Sequence, residues 1–467
     1  MRTKVLLLPT GPSAWLRNLV DGLGIAFVAW FALHYATQRI YADAAYFLMQ
    51  VADQGSFHVI NGRWIIVLTQ WLPVLGAQLG VSMAALITLF SLGNVVLLVL
   101  CYVFVSIRLR DRESGTALVA VQVVGLAHAL FCPIFEFYYG ALLLVVFRAV
   151  WKTDLLSPVV RWSLLSVLFV LVISSHFMGL VVMGLTLLLD RAWDHKRLAA
   201  WLGVLLVAQL IQRSLTLSAY EANAFGNVLL GLERAGVGWA FVPGRLWAKF
   251  LHTLFHYPDV LLFGLYIAVA LMRRKDRWGL FVFILGALTI YTASTLYLAD
   301  TTQSYYREIV DQPLAVWVIL VLFARGTGPA PSRYAIPALV FLALTFRMVR
   351  TSEVAVAYVK RTAFIEERIA TARAIGIQRG LVLEGPVLQP SGHGVAPLPY
   401  MSPMEALLLS ARQGPDSIVV LIPSKETHPT HAFTQRIDSS MAQFGMEFPT
   451  GIGPYFKMPT TNFEVLR

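Results

Sequence analysis

From Val81 to Ile107 the chain carries no charged residue, and Arg108, Arg110 and Arg112 then close the run. As a helix this stretch measures about 40 Å, more than the ~30 Å of bilayer hydrocarbon. A chain with such a segment must either cross a membrane or hide the segment in a very large core. The composition decides between them. Only 13% of the 467 residues are charged and 57% are hydrophobic, whereas soluble domains carry about 25% charged residues. The expectation is an α-helical polytopic membrane protein.

Basic residues set the expected topology, because cytoplasmic loops concentrate Lys and Arg. Residues 351–467 hold ten Lys/Arg and ten Asp/Glu, so the net charge of +11 belongs to residues 1–350. That distribution fits cytoplasmic loops and not nucleic-acid binding. Arg2, Lys4 and Arg17 precede a first span over Leu19–Ala36 and put the N-terminus in the cytoplasm. Further spans are read at 81–107, 115–131, 138–150, 198–211, 260–271, 278–298, 314–323 and 334–344. The segment 162–189 has basic flanks at both ends, which favours a hairpin of two short arms turning at Ser174-Ser175-His176 over one long span. The sum is about eleven transmembrane helices, with the C-terminus outside. Arg347 and Arg350, at the outer end of the last span, count against this scheme. Cys101 and Cys132 have neither disulfide nor metal spacing and are read as packing residues.

Residues 37–80, the first outer loop, combine a carboxylate with helical periodicity. After Asp43, residues Ala44, Phe47, Leu48 and Val51 share one helical face, and Tyr46, Gln50 and Asp53 share the other with Asp43. This predicts a helix lying in the membrane interface, and Trp64–Leu79, broken by Leu72-Pro73, predicts a second. Ala42-Asp43-Ala44 also has the small-x-small form of a signal-peptidase site. Cleavage after Ala44 would remove Asp43, but the first apolar run is too long for a usual signal core.

Residues 351–467 form a different sequence class. Tyr358, Ile365, Ile369 and Ala372 line one side of an amphipathic helix. Leu381–Leu383 and Ile418–Ile422 read as buried strands, with a helix at Met404–Arg412 between them. The expectation is a small soluble α/β domain, placed by the topology in the periplasm. Its scattered His393, His428 and His431 read as solvated rather than metal-bound.

Ionisable residues are nearly absent from the middle of the spans and gather at their outer ends: Asp43, Arg63, Glu136, His176, Arg213, Arg245, Lys249, Tyr306 and Arg307. A coupled transporter needs polar groups near the midplane, so this distribution argues for a site at the membrane–water boundary.

Several short phrases resemble the C superfamily of membrane glycosyltransferases (the GT-C fold), which includes protein O-mannosyltransferases and lipid A aminoarabinose transferases. They are Tyr41-Ala42-Asp43-Ala44-Ala45-Tyr46-Phe47, Asn61-Gly62-Arg63-Trp64, Leu72-Pro73 and Leu79-Gly80-Val81-Ser82. Tyr305-Tyr306-Arg307 running to Pro313 resembles an Arg-Tyr-x-x-Pro phrase of the family in altered order. The resemblance follows the layout of residues 15–350 and leaves the C-terminal domain unmatched. It implies an inverting glycosyltransferase of the bacterial inner membrane, moving a sugar from a polyprenyl-phosphate donor to a lipid, glycan or protein acceptor. Asp43 would be the general base. Arg63, Arg307, His176, Arg245 and Lys249 would hold the donor phosphate, Glu136 would be a second acid, and Tyr46 and Tyr306 would line the donor or acceptor. No cofactor is required; a divalent cation is left open, because some members of the family use one and others do not. The alternatives are a flippase of lipid-linked glycan and an envelope assembly protein.

Overall fold

The computed structural model of the chain describes residues 12–60, 62–216, 233, 238, 241–297, 304–326, 332–383, 402–424, 454–459 and 464–466. His393, His428 and His431 lie outside these residues. Fifteen helices of ten or more residues occur among the described residues. The first six are α1 (Pro12–His34), α2 (Asp43–Gln54), α3 (Val67–Gln78), α4 (Met83–Val103), α5 (Arg112–Val121) and α6 (Glu136–Lys152). Then come α7 (Pro158–Ser175), α8 (Phe177–Leu189), α9 (Lys196–Thr216), α10 (Pro243–His256), α11 (Pro258–Arg273), α12 (Arg277–Tyr297) and α13 (Ser304–Val321). α14 (Ser332–Ala374) and α15 (Ser402–Ala411) complete the set.

Among the described residues five helical stretches are long and apolar enough to cross a membrane: Ala14–His34, Met83–Arg108, Pro158–Ser175, Lys196–Leu215 and Arg277–Thr295. α10 and α11 would make a sixth span together, but they meet at a bend of 105°. Exposed Trp201, Val204, Val207 and Ile211 on α9, and Phe281, Ile284 and Leu288 on α12, give these helices apolar outer faces of the kind a membrane covers. The chain is thus a membrane-embedded helical protein. Among the described residues these make up to six candidates, against eleven spans read from the sequence. Hydropathy alone does not separate a lipid-facing helix from a segment buried inside the protein. α6 shows this, because every residue from Phe137 to Trp151 is buried and it packs against α4, α5, α7, α8 and α13. It is the axis of the core.

Residues 115–131, expected as one span, depart furthest. Helix α5 stops at Val121, and the backbone stays largely irregular to Phe135, although residues 122–135 are all buried. Irregular backbone at such depth survives only where protein groups satisfy it. The Gly125 N–H donates to Asp259 (3.2 Å), and the Ala127 N–H donates to Glu308 Oε1 (2.7 Å). The Ala129 N–H donates to the same carboxyl, and Gln122 Nε2 donates to Tyr138 O (2.9 Å). Gly125 adopts φ +77°, and a Cβ there would stand 2.7 Å from that of Ala315. Glycine is therefore required on both counts.

α2 differs in setting rather than in identity. Its faces were expected to divide between lipid and water, yet Ala44 through Ala52 are all buried, including Tyr46 and Gln50. α3, α4 and α15 cover it. The amphipathic helix with an uncovered apolar face is instead α10, where Trp247, Phe250, Leu254 and Phe255 are exposed.

The C-terminal part holds a parallel three-stranded sheet in the order β2-β1-β3, with β1 at Arg379–Leu383, β2 at Val420–Ser424 and β3 at Glu464–Leu466. β1, β2 and helix α15 overlap the runs at 381–383, 418–422 and 404–412, whereas β3 was not read from the sequence. The expected boundary at 350/351 falls within α14, which continues unbroken from Ser332 to Ala374. Tyr358, Ile365, Ile369 and Ala372 are buried, as their spacing required.

Candidate functional site

Asp43 opens α2, and Ala42 before it has φ 57° and ψ −131°. A non-glycine residue in this region is strained by about 1–3 kcal/mol and persists only where its surroundings dictate it. Three sets of contacts do so. Arg39, 1% exposed, donates to Leu130 O (2.8 Å), Ser91 O (2.7 Å), Ser91 Oγ (3.0 Å) and Asn94 Oδ1 (2.9 Å). All four acceptors are neutral, so the guanidinium ties α4 and the 122–135 segment to the residues preceding Asp43. Tyr41 packs edge-on against Tyr358 of α14, with ring centroids 5.1 Å apart. From the C-terminal part, Glu405 of α15 accepts from the Ala42 N–H at 3.5 Å and is itself held by Arg361 of α14 at 2.9 and 3.0 Å. The Arg361 guanidinium also lies 5.4 Å from the Tyr41 ring centroid.

Asp43 is thereby held at the edge of the protein interior, partly exposed. Burial pushes its carboxyl up to about 6; the negative charge of Glu136 adds to the rise and Arg63 opposes it. Arg63 Nη1 donates to Glu136 Oε1 at 2.6 Å, with both side chains partly exposed. Glu136 is the first residue of α6, where the helix dipole favours a carboxylate. His176 stands at the break between α7 and α8, as the two-armed reading of this segment requires, and its Nδ1 accepts from the Met178 N–H at 3.2 Å. Burial pushes its imidazole down to about 4, with Glu136 opposing and Arg63 and Arg213 reinforcing the fall. Arg213 Nη2 donates to Ser174 O at 3.0 Å beside it. Near neutral pH the cluster therefore combines an ionised Asp43, the Arg63–Glu136 pair and a neutral His176. Tyr46 points its hydroxyl at His58 Nε2 (3.0 Å). The His58 backbone is pinned by Gln70 through two 2.8 Å bonds.

Four of the expected site residues, Asp43, Arg63, Glu136 and His176, thus share one electrostatic neighbourhood. Lys249 does not belong to it. It pairs with Asp311 of α13, which also lies 3.8 Å from His252. Arg245, four residues earlier on α10, falls on the same helical face as Lys249. Tyr306 and Arg307 stand in the first turn of α13, and their side chains lie outside the described residues. Arg39, His58, Gln70, Glu405 and Arg361 were not singled out by sequence reasoning. Arg347, which counted against the topology, is neutralised by Asp259 through bonds of 2.5 and 2.8 Å.

Among the described residues no three His, Cys, Asp or Glu side chains group as metal ligands. No family model, no curated protein and no solved structure matches the chain.

Proposed function

We propose that the chain is an inverting membrane glycosyltransferase that moves a sugar from a polyprenyl-phosphate donor to an extracytoplasmic acceptor. The observation that carries this reading is Asp43 itself: a carboxylate partly open to solvent, fixed on a strained turn, in the field of the Arg63 guanidinium and the Glu136 carboxylate. In this reading Asp43 accepts the proton of an acceptor hydroxyl. The hydroxyl oxygen bonds to the anomeric carbon as the bond from that carbon to the phosphate oxygen breaks. The electron pair leaves with the polyprenyl phosphate. Arg63 and Arg213 supply charge to the leaving phosphate, since guanidinium binds phosphate oxygens bidentately. A base whose pKa lies just below neutral is ionised yet still basic enough to take the proton.

The reading extends to a bacterial inner membrane, with the N-terminus cytoplasmic and the C-terminal α/β part on the acceptor side. The test is Asp43→Asn in isolated membranes supplied with a panel of radiolabelled polyprenyl-phosphate sugars. Loss of transfer with unchanged expression and melting supports the general-base role; full transfer by the variant sinks it.

A further inference from the structure

A polar cavity of about 190 Å³ lies among α10, Tyr257, α13, α14 and residues 127–128, its lining distinct from the Asp43 cluster. Glu308, 2% exposed, forms part of its wall, with each carboxyl oxygen taking one backbone N–H. Each oxygen can accept more than one hydrogen bond. Arg347, 1% exposed, bonds Asp259 through Nε and Nη2. Its Nη1 donates to nothing among the described residues. Its guanidinium lies 5.2 Å from the Tyr257 ring centroid. Arg350 also lines the cavity, bonded to Glu353 (2.8 Å) and to His256 (3.2 Å).

The charges specify the ligand. Arg347 is neutralised by Asp259 and Arg350 by Glu353, so no surplus positive charge faces the cavity. An anion would find both guanidiniums already paired, and a small cation would meet them; burial raises the Glu308 carboxyl to about 7, so it can present a hydroxyl as well as acceptor oxygens. Burying either charge without a matching partner is expensive. A neutral molecule rich in hydroxyl groups meets neither penalty. It can donate to the open lone pairs of Glu308 and accept from Arg347 Nη1. Pockets for drug-sized ligands span roughly 300–1,000 Å³, so this smaller space suits one ring rather than an extended chain.

We infer that this cavity is a binding site for a neutral, hydroxyl-rich ring of monosaccharide size. The inference does not rest on Asp43 chemistry, and its test is separate. Purified full-length protein in nanodiscs is mixed with methyl glycosides of pentoses and hexoses, and saturation transfer to the ring protons is read by NMR. At least one glycoside is expected to receive saturation. Arg350→Ala, which removes a partly exposed side chain, weakens that signal roughly tenfold, the scale of a lost charged hydrogen bond. Val354→Phe, which fills the space from the buried wall, abolishes it. Asp43→Asn leaves it unchanged. The inference is overturned if no glycoside receives saturation, or if both cavity variants retain the full signal. It is equally overturned if inorganic phosphate binds in a manner dependent on Arg350 while the glycosides do not, because the cavity would then be an anion site.

Discussion

The residues at the two ends of the irregular 122–135 segment use carboxylates in opposite ways. At the Ala127 end, Glu308 and Asp259 direct oxygens to backbone N–H groups of the segment, and Asp259 also holds a fully buried arginine. At the Glu136 end, Glu136 meets a partly exposed arginine and Asp43 keeps an opening to solvent. A carboxylate committed to main-chain donors cannot release them without unfolding the segment, because a buried N–H left unpaired is costly. A carboxylate facing a long, partly solvated side chain can exchange that partner for a substrate. The first arrangement supports backbone; the second permits chemistry.

Five substitutions and a pH profile test this contrast. Asp43→Asn should lower sugar transfer by about 10²–10⁴, the range for a lost general base, with the melting temperature intact. An Arg39→Met variant should show the reverse pattern. It leaves the acceptors at Leu130, Ser91 and Asn94 without their donor, and thermal unfolding should register a loss of about 3 kcal/mol. An equal loss for Arg63→Met would break the contrast, since a partly exposed pair is worth about 1 kcal/mol or less.

The pH profile is a finer probe. Asp43 is raised from an ordinary value near 3.8 to about 6, so transfer should rise through about pH 6 and level off above it. The folded state binds this proton more tightly than the unfolded chain does. The contribution of Asp43 to stability therefore falls as pH rises from about 4 to about 6, then stays constant. Burial is the main cause of that rise and the charge of Glu136 adds to it, so Glu136→Gln should move the activity midpoint below 6; an unmoved midpoint would separate the two carboxyls. The smallest effect belongs to Ala42→Gly. It relieves the strained turn but adds chain entropy to the unfolded state, and the net change in unfolding free energy should stay within about 1 kcal/mol.

The active-site candidates were legible because a charge beside apolar sequence is costly unless it has a use. Asp43, Arg63, Glu136 and His176 all stood out on that ground; β1 and β2 were legible as short apolar runs. Arg39 and Arg347 were not legible as structural ties. The partners of Arg39 are neutral groups 52 to 91 residues away, and that of Arg347 is an aspartate 88 residues away. Nothing local marks such pairings. Residues 122–131 were misread because an apolar stretch looks the same whether its amides bond to one another or to distant carboxylates. The burial of α2 was hidden because its cover, α15, lies more than 300 residues further along the chain.

α14 runs unbroken for 43 residues, about 65 Å at 1.5 Å per residue. A bilayer with its headgroups is about 40–45 Å thick. One end must therefore stand clear of any membrane it crosses, like a mast stepped in a deck. Tyr358 and Arg361 sit on that mast and brace the turn that carries Asp43. Only the rest of α14 and a short turn at 375–378 separate them from β1, so a load applied to the C-terminal part, by an acceptor docking there or by a pulling force, would pass along α14 to the turn that carries Asp43.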